Sequence, residues 1–397
     1  MRIILIEPNL TGTEGHPTEF SKNLFNYARS KDIKCVLVCN RQIDKNTKKL
    51  FGNFIFPLIT HSCFANLSND SGVLTFLNDL KQIDKQLKLN DNDVIVVLTS
   101  YTNEIRGGDL FLHSRNDLKH PKFYFWVHQL FPPESDFLVA SQKARKEYWI
   151  NRFTKYCDNL HKNIQICSTT SIKLKEKIEN LIHQKVIMLP LPYNIGSLSY
   201  PSVSNKSEFT VSFLGDGRFE KGVILFLESV WTLKDENLMF CIQDANWKGF
   251  SDKNIKRLGS LLKSLSENKN FILLPKNLSQ KSFIRTIKES SLLVFPYNPN
   301  SYHMRVSGLL VQTLLSGVPA LVSSETWLDE EIRKNNIGTS FKYDKENEKK
   351  SVNNLSQSIK YIAAHYHQKK GKALVTSKKY KDLHSPKIFF KTLLSVT

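Results

Sequence analysis

The feature that most constrains this chain is a repeated alternation of short apolar runs with helix-length amphipathic stretches. In the first half the runs fall at 3–6, 35–39, 94–98, 123–127, 164–167 and 186–189. They are apolar at nearly every position, which fits strands covered on both faces, the condition of a parallel sheet. Between them, 18–30 and 171–183 each open on a Thr or Ser suited to capping a helix. This rhythm predicts a doubly wound α/β domain. It breaks over 190–207 (PLPYNIGSLSYPSVSNKS), where Pro, Gly, Ser and Asn concentrate, and then restarts. Strands are expected at 209–214, 239–243, 271–274, 292–296 and 320–322, with helices at 222–233, 280–290 and 309–315.

The chain is therefore expected to form two domains of similar size, 1–195 and 209–375, joined by a linker at 196–208. The tail, 376–397, carries an apolar stripe (Ile388, Phe389, Leu393, Leu394) at helical spacing. A helix packing back on the N-terminal domain is expected there. The Lys/Glu-rich stretch 342–350 reads as a solvated loop or helix start. A length of 397 residues with 41% hydrophobic and 23% charged residues suffices for a buried core without disulfide or metal staples. Gly and Pro, at 16 and 14, exclude collagen-like or low-complexity structure.

The six Cys, at 35, 39, 63, 157, 167 and 241, form no C-x-x-C pair. Most lie in apolar runs, where a free Cys acts as a small buried hydrophobe, so a reduced, cytosolic compartment is expected. The run 3–6 is too short for a signal-peptide core, and no stretch approaches the ~20 apolar residues of a membrane span. The expectation is a cytoplasmic protein, at most peripheral on the inner face of a membrane. With 56 Lys and Arg against 37 Asp and Glu, the net charge is +19. Such an excess favours nucleic acid, acidic lipid or phosphorylated ligands. The abundance of Lys, Asn and Ile that an AT-rich genome imposes accounts for it equally well.

Two segments carry chemistry. In VSFLGDGRFEKGVILFLESVW (211–231) a strand runs into a loop with Gly215, Gly217 and Gly222, bearing Arg218 and Lys221, before a helix begins. Glycines let a backbone approach a ligand closely, Arg offers a planar fork to phosphate oxygens, and Lys offers a point charge. The C-terminal end of a strand is where open α/β sheets bind ligands. The second segment is LLVFPYNPNSYHMRVSGLLVQTLLSGVPALVS (292–323). A polar loop with Tyr297, Tyr302 and Arg305 leads to Ser307 and Gly308, which open a helix whose first amides form an anion site. Three charge-assisted hydrogen bonds at about 1.5–3 kcal/mol each, together with such amides, suit a pyrophosphate.

Together the two segments resemble the GT-B glycosyltransferases of family 4, the large retaining group whose C-terminal domain binds a nucleotide-sugar. Gly215, Lys221 and Gly222 fall on that group's strand–G–R–x4–K–G loop. Ser316-Gly317-Val318-Pro319 falls on the turn that follows its E-x7-E segment. LGDGRFEKG, PYNPNSYHMRVSG and ETW (325–327) are closer to a bacterial subgroup reading GD-x-R-x-EKG, PY-x-P-x2-Y-x2-R-x-SG and TW. The resemblance is specific over 209–340 and rests before 200 on the strand–helix rhythm alone. It implies two Rossmann-like doubly wound domains facing each other across a cleft. It also implies transfer of a sugar from a nucleotide-diphosphate-sugar, with retention, no metal and no cofactor.

On this resemblance Arg218, Lys221 and Arg305 hold the diphosphate with the amides of Ser307 and Gly308, and Gln312 binds the ribose. Gly15, Gly215, Gly217, Gly222 and Tyr297 complete the donor site. Two departures stand out. Asp216 takes the place of the usual loop arginine, so Arg218 assumes its role from two residues on. The E-x7-E pair falls on Met304 and Gln312; the amide oxygen of Gln312 still accepts a hydrogen bond, whereas Met304 cannot replace a carboxylate.

In the N-terminal half, Gly12, Gly15 and His16 follow the first strand, and His128 follows the strand in FYFWVHQLFPP. His128, His16 and Tyr302 are the residues expected at the chemistry. Asp91-Asn92-Asp93 precedes a strand and reads as a turn, and no H-x3-H pair or Cys cluster signals a metal. The stretch 143–155 (KARKEYWINRFTK) interleaves cations with aromatics. It suits either contact with an anionic membrane or a surface helix with its aromatics turned inward.

The expected acceptor is a glycan, a lipid-linked glycan or a small molecule. The missing carboxylates at 304 and 312 leave a second reading, a GT-B subunit that binds nucleotide or glycan without turning it over. Nucleic-acid binding has only the net charge behind it and no recognisable module, so no nucleic acid is expected. PNLTGTEGH after the first strand lacks G-x-G-x-x-G, which argues against a dehydrogenase.

Overall fold

Strands buried on both faces should form parallel sheets, and the chain builds two of them. The computed structural model describes residues 1–12, 15–63, 70–116, 119–130, 142–193, 208–244 and 250–395, with the backbone alone at 142–146. In the N-terminal part β1 (Arg2–Glu7), α1 (Gly15–Ser30), β2 (Cys35–Asn40), α2 (Lys45–Lys49) and β3 (Ile55–Ile59) are followed by α3 (Ser71–Leu87) and β4 (Asp93–Ser100). Then come α4 (Thr102–His113), β5 (Lys122–Val127), α5 (Gln142–Cys157), β6 (Ile164–Ser168), α6 (Ile172–Ile182) and β7 (Ile187–Met188). The sheet order is β3-β2-β1-β4-β5-β6-β7, all parallel. Its strand order reverses between β1 and β4, the switch point at which such sheets place ligands beyond the strand ends.

The second sheet starts with β8 (Phe209–Phe213), α7 (Val223–Thr232), β9 (Leu238–Gln243), α8 (Asp252–Ser266) and β10 (Phe271–Leu274). It continues through α9 (Gln280–Glu289), β11 (Leu292–Phe295), α10 (Pro299–Tyr302), α11 (Gly308–Leu315), β12 (Ala320–Ser323), α12 (Trp327–Asn335) and β13 (Gly338–Phe341). The order is β10-β9-β8-β11-β12-β13, again parallel, with the switch point between β8 and β11. Val211, Phe213, Phe226, Phe240 and Leu292 centre its core. Helices α13 (Glu348–Ala364), α14 (Tyr366–Lys381) and α15 (Pro386–Leu394) complete the chain.

The chain divides into two compact units. The first takes in the described residues up to Tyr193 together with 384–395, and the second those from Glu208 to Leu383. Apart from Glu208, the expected linker lies outside the described residues. The tail expected as one helix from 376 is two. α14 spans that boundary and belongs to the second unit, where the Tyr380 hydroxyl donates to Glu331 Oε1 at 2.8 Å. α15 belongs to the first unit, capped by the Ser385 hydroxyl on the Ile388 N–H (3.3 Å). Phe389 packs edge-on against Trp126 (5.3 Å), Phe390 stacks on Tyr27, and His384 Nδ1 accepts the Leu191 N–H at 3.2 Å.

Two strands escaped the sequence reading. β3 (IFPLI) carries Pro57, and β13 (GTSF) is mostly polar. Both are sheet edges, where a proline's missing donor and a half-exposed face are tolerated. The D-x-D segment is structural: Asp93 opens β4, is buried, and pairs with Arg2 at 2.8 Å.

Candidate functional site

The loop after β8 is shaped by its glycines. Gly215 adopts φ +93°, and its N–H is held by Gln243 Oε1 (2.9 Å), whose amide in turn donates to the Lys276 carbonyl (2.8 Å). A single 3-10 turn, Phe219–Lys221, follows. Gly222 then turns left-handed at φ +73° to start α7, and any Cβ there would run into the Pro296 carbonyl. Only glycine lets this loop press against the end of β11. The Asn298 N–H, donating to the Glu220 carbonyl at 2.8 Å, ties the two segments together.

That contact brings the second segment to the first. Tyr297 and Tyr302 are buried with ring centres 4.4 Å apart. The Arg218 guanidinium reaches the Tyr302 hydroxyl at 3.4 Å, and the Arg305 guanidinium lies 4.8 Å from the centre of the Tyr302 ring. Lys221 Nζ stands 6.0 Å from the Tyr297 ring centre and over Gly215, where a Cβ would lie 3.7 Å from it. Arg218, Lys221 and Arg305 therefore converge, although Arg218 and the Tyr302 it reaches are 84 residues apart in sequence.

Glu220 organises the cluster, and the sequence reading passed over it. Its carboxylate is 5% exposed, with Oε1 3.2 Å from Arg218 Nη1 and 3.4 Å from Arg305 Nη1. Asp216 Oδ2 lies 2.9 Å from Arg218 Nε. Its signal in the sequence is a position between two cations in RFEKG. Three cations thus face two carboxylates, leaving one positive charge in excess when Lys221 is protonated. Burial, and after it Arg218, with Arg305 adding, pushes the Lys221 ammonium down to about 7. Burial also works against the Arg218 charge, but Tyr302, Glu220 and Asp216 hold that group above its ordinary value. The Tyr297 hydroxyl, hydrogen-bonded to Ser307, is pushed up by burial.

Beside the cations, Ser307 caps α11 through the Leu310 N–H (3.3 Å), and the first helical amides, at 308 and 309, lie outside the intrahelical ladder. Gln312 is buried one turn further along, and Gly217 is buried in the first loop. Met304 is half-buried between Tyr302 and Arg305 in the chain. Of ETW, Thr326 caps α12 and Trp327 is buried. Glu325 is exposed at φ +61°, paired with Lys345 at 3.0 Å.

In the first unit, Gly15 starts α1 at φ +84°, and exposed His16 lies with its ring 6.1 Å from that of His128. Phe20 stacks on His128 and touches His16. His128 Nε2 is 2.8 Å from the Leu98 carbonyl, so Nε2 carries the proton and Nδ1 keeps its lone pair. Burial pushes the His128 imidazolium down to about 4, leaving the ring neutral at physiological pH. In the basic stretch 143–155, Trp149 and Phe153 are buried, while Tyr148 is on the surface.

No family model matches the chain, and no curated protein matches it in sequence. Solved structures do. Sucrose-phosphate synthase from Thermosynechococcus elongatus superposes with a TM-score of 0.73 at 12% identity, over 100% of both chains. A glycosyltransferase from Rickettsia africae gives 0.68 at 11% identity, over 100% of this chain and 97% of that one. Anabaena HepE in complex with UDP-glucose gives 0.67 at 10% identity, over 100% and 99%. Two parallel doubly wound sheets and these likenesses together establish that the chain has the GT-B fold.

Proposed function

We propose that this protein is a glycosyltransferase that moves a sugar from a nucleotide-diphosphate-sugar to a glycan, lipid-linked or small-molecule acceptor. One observation carries the reading: Arg218, Lys221 and Arg305 converge around Glu220 beside the first amides of α11. A diphosphate leaving group develops negative charge as the bond from the sugar's anomeric carbon to phosphate oxygen breaks. Fixed cations and helix amides are the preorganised counterpart of that charge. Arg218 and Arg305 bind the phosphate oxygens, and the ammonium of Lys221 gains stability as the phosphate arrives. The Ser307 and Gly308 amides complete the cradle, and Gln312 accepts from the ribose. Gly215, Gly217 and Gly222 keep the loop backbone close, and Tyr297 and Tyr302 floor it.

In the first unit, Nδ1 of neutral His128 accepts a hydrogen bond from a sugar or acceptor hydroxyl. His16 donates to the donor phosphate, and Gly15 allows close backbone approach. This reading draws on side chains and amides alone, with no cofactor and no metal in the transfer step. Retention and membership of the family 4 subgroup rest on the motif resemblance. HepE binds UDP and UDP-glucose, which makes uridine donors the first to test. The proposed setting is cytoplasmic glycan assembly. Any contact of 143–155 with an anionic membrane inner face is made by cations, because Trp149 and Phe153 are packed inward.

A thermal-shift screen of nucleoside diphosphates and sugar nucleotides tests the donor site. A ligand at about 100 times its dissociation constant stabilises by about 2.7 kcal/mol. No stabilisation by any diphosphate sinks the proposal. Met304 and Gln312, in place of two Glu, favour a second reading, a subunit that binds without turnover. Diphosphate binding with no hydrolysis or transfer over long incubation selects it.

A further inference from the structure

Outside the cation cluster, one group of ligating side chains gathers in the first unit. The sequence reading saw no metal signal there, because the group joins distant segments. His61 Nε2, Cys63 Sγ and a Glu104 carboxylate oxygen all lie within 4.8 Å of one another, and all three residues are buried. His61 and Cys63 follow β3, and Glu104 stands in the first turn of α4. His61 Nε2 and Glu104 Oε1 are in direct contact. Glu104 Oε2 accepts the Tyr101 N–H at 2.6 Å, and Cys63 Sγ lies 3.1 Å from the Thr99 carbonyl.

The surroundings hold these groups in place. Asp79 Oδ2 accepts the His61 N–H (2.8 Å), Asn40 donates to the His61 carbonyl (3.2 Å), and Asn9 Oδ1 accepts the Cys63 N–H (3.2 Å). Glu7, fully buried at the end of β1, acts electrostatically on both Glu104 and Cys63. It accepts the Asn9 N–H (3.0 Å) and the Thr99 hydroxyl (2.9 Å). Among the described residues, neither Glu7 nor Glu104 is paired with a lysine or arginine. Two buried carboxyls and a thiol, with a histidine but no lysine or arginine beside them among the described residues, make a site that a cation would compensate.

We propose that His61, Cys63 and Glu104 bind a thiophilic divalent cation of the zinc class, with Glu7 adding negative charge nearby. Imidazole, thiolate and carboxylate are the donors zinc takes, and a set buried on all sides is the closed arrangement of a structural ion. Binding releases the Cys63 thiol proton, and His61 presents the Nε2 lone pair in the tautomer with its proton on Nδ1. The ion ties the segment after β3 to the start of α4.

The test uses the full chain expressed in zinc- or cobalt-supplemented medium. About one zinc per chain is expected to survive gel filtration. The cobalt form should show thiolate-to-cobalt charge-transfer absorption. Cys63→Ser should abolish that band, whereas Cys241→Ser, at a buried cysteine of β9 in the second unit, should keep it. Glu104→Gln, which preserves the acceptor for the Tyr101 N–H, serves as a second variant that keeps the test open if Cys63→Ser fails to fold; its zinc retention should fall about tenfold. Folded wild-type protein without metal, or a cobalt band that Cys63→Ser leaves unchanged, overturns the assignment. Neither result bears on the donor site.

Discussion

Arg218 and Arg305 meet on a single carboxylate oxygen, Glu220 Oε1, at 3.2 and 3.4 Å. Two guanidiniums from loops on different strands are thereby held side by side before any ligand arrives. The arrangement separates stability from binding. Glu220→Gln leaves the guanidiniums repelling each other. Losing one partner of a buried pair costs about 3–5 kcal/mol, and the partial exposure of both arginines reduces this to about 1–3 kcal/mol. The same variant has one more unit of uncompensated positive charge. Its melting temperature should fall while its affinity for a nucleoside diphosphate rises, as thermal unfolding and calorimetry would read. Loss of both would remove Glu220 from this role.

Arg218→Ala and Arg305→Ala each delete a charged donor. At about 1.5–3 kcal/mol per charge-assisted hydrogen bond, each should weaken diphosphate binding roughly 10- to 150-fold. Folding should persist, since neither guanidinium belongs to the apolar core. Unchanged donor turnover in Arg218→Ala would discard the assignment.

Lys221 makes diphosphate binding depend on pH. The free group titrates at about 7, and a bound diphosphate raises that value. Affinity should be flat below about pH 7 and fall above it, by at most about tenfold per pH unit, until the raised value is passed. Lys221→Arg should flatten the curve, because a guanidinium stays charged throughout. Without ligand the sign reverses. A lysine whose folded value lies below its unfolded one destabilises fully below about pH 7, and the cost fades as pH rises toward the unfolded value. Lys221→Met should therefore melt higher in neutral buffer while losing diphosphate.

His128 offers a contrasting titration. A ring that stays neutral down to about pH 4 adds no limb to a pH–rate profile near its ordinary value. His128→Ala should lower kcat/KM by removing a hydrogen bond, with the profile between about pH 5.5 and 7.5 keeping its shape. A limb near 6.5 that vanishes in the variant would show His128 cycling its proton.

What the sequence revealed of all this follows a physical line. β1, β2, β4, β5 and β6 were legible because each is buried on both faces and so reads as an unbroken apolar run. β3 and β13 sit at sheet edges, half exposed, and leave no such run. In the site, Arg218 and Lys221 were legible because glycines, cations and a strand end fall within one short loop. Glu220 was not, since its importance depends on Arg305, which only the fold brings near. The same holds for His16 beside His128 and for His61, Cys63 and Glu104. Side chains joined by tertiary contact carry no local pattern.

Gly222 links the two donor loops most tightly, and it yields the sharpest structural test. Its φ of +73° is strained for any residue with a Cβ, and that Cβ would collide with the Pro296 carbonyl at the end of β11. The strain alone costs about 1–3 kcal/mol, and relieving the collision must move one loop away from the other. The Asn298 N–H that donates to the Glu220 carbonyl sits at that seam. Gly222→Ala should thus lower the melting temperature and also weaken diphosphate binding, because Arg305 is carried away from Arg218 and Glu220. Gly215→Ala serves as the comparison: its φ of +93° is equally left-handed, but its Cβ meets only side-chain atoms, Leu309 Cδ2 at 3.4 Å and Lys221 Nζ at 3.7 Å. It should lose less stability than Gly222→Ala and keep the arginine pair intact. Equal losses in both variants would mean that backbone conformation alone, and not the seam with Pro296, holds the cluster together.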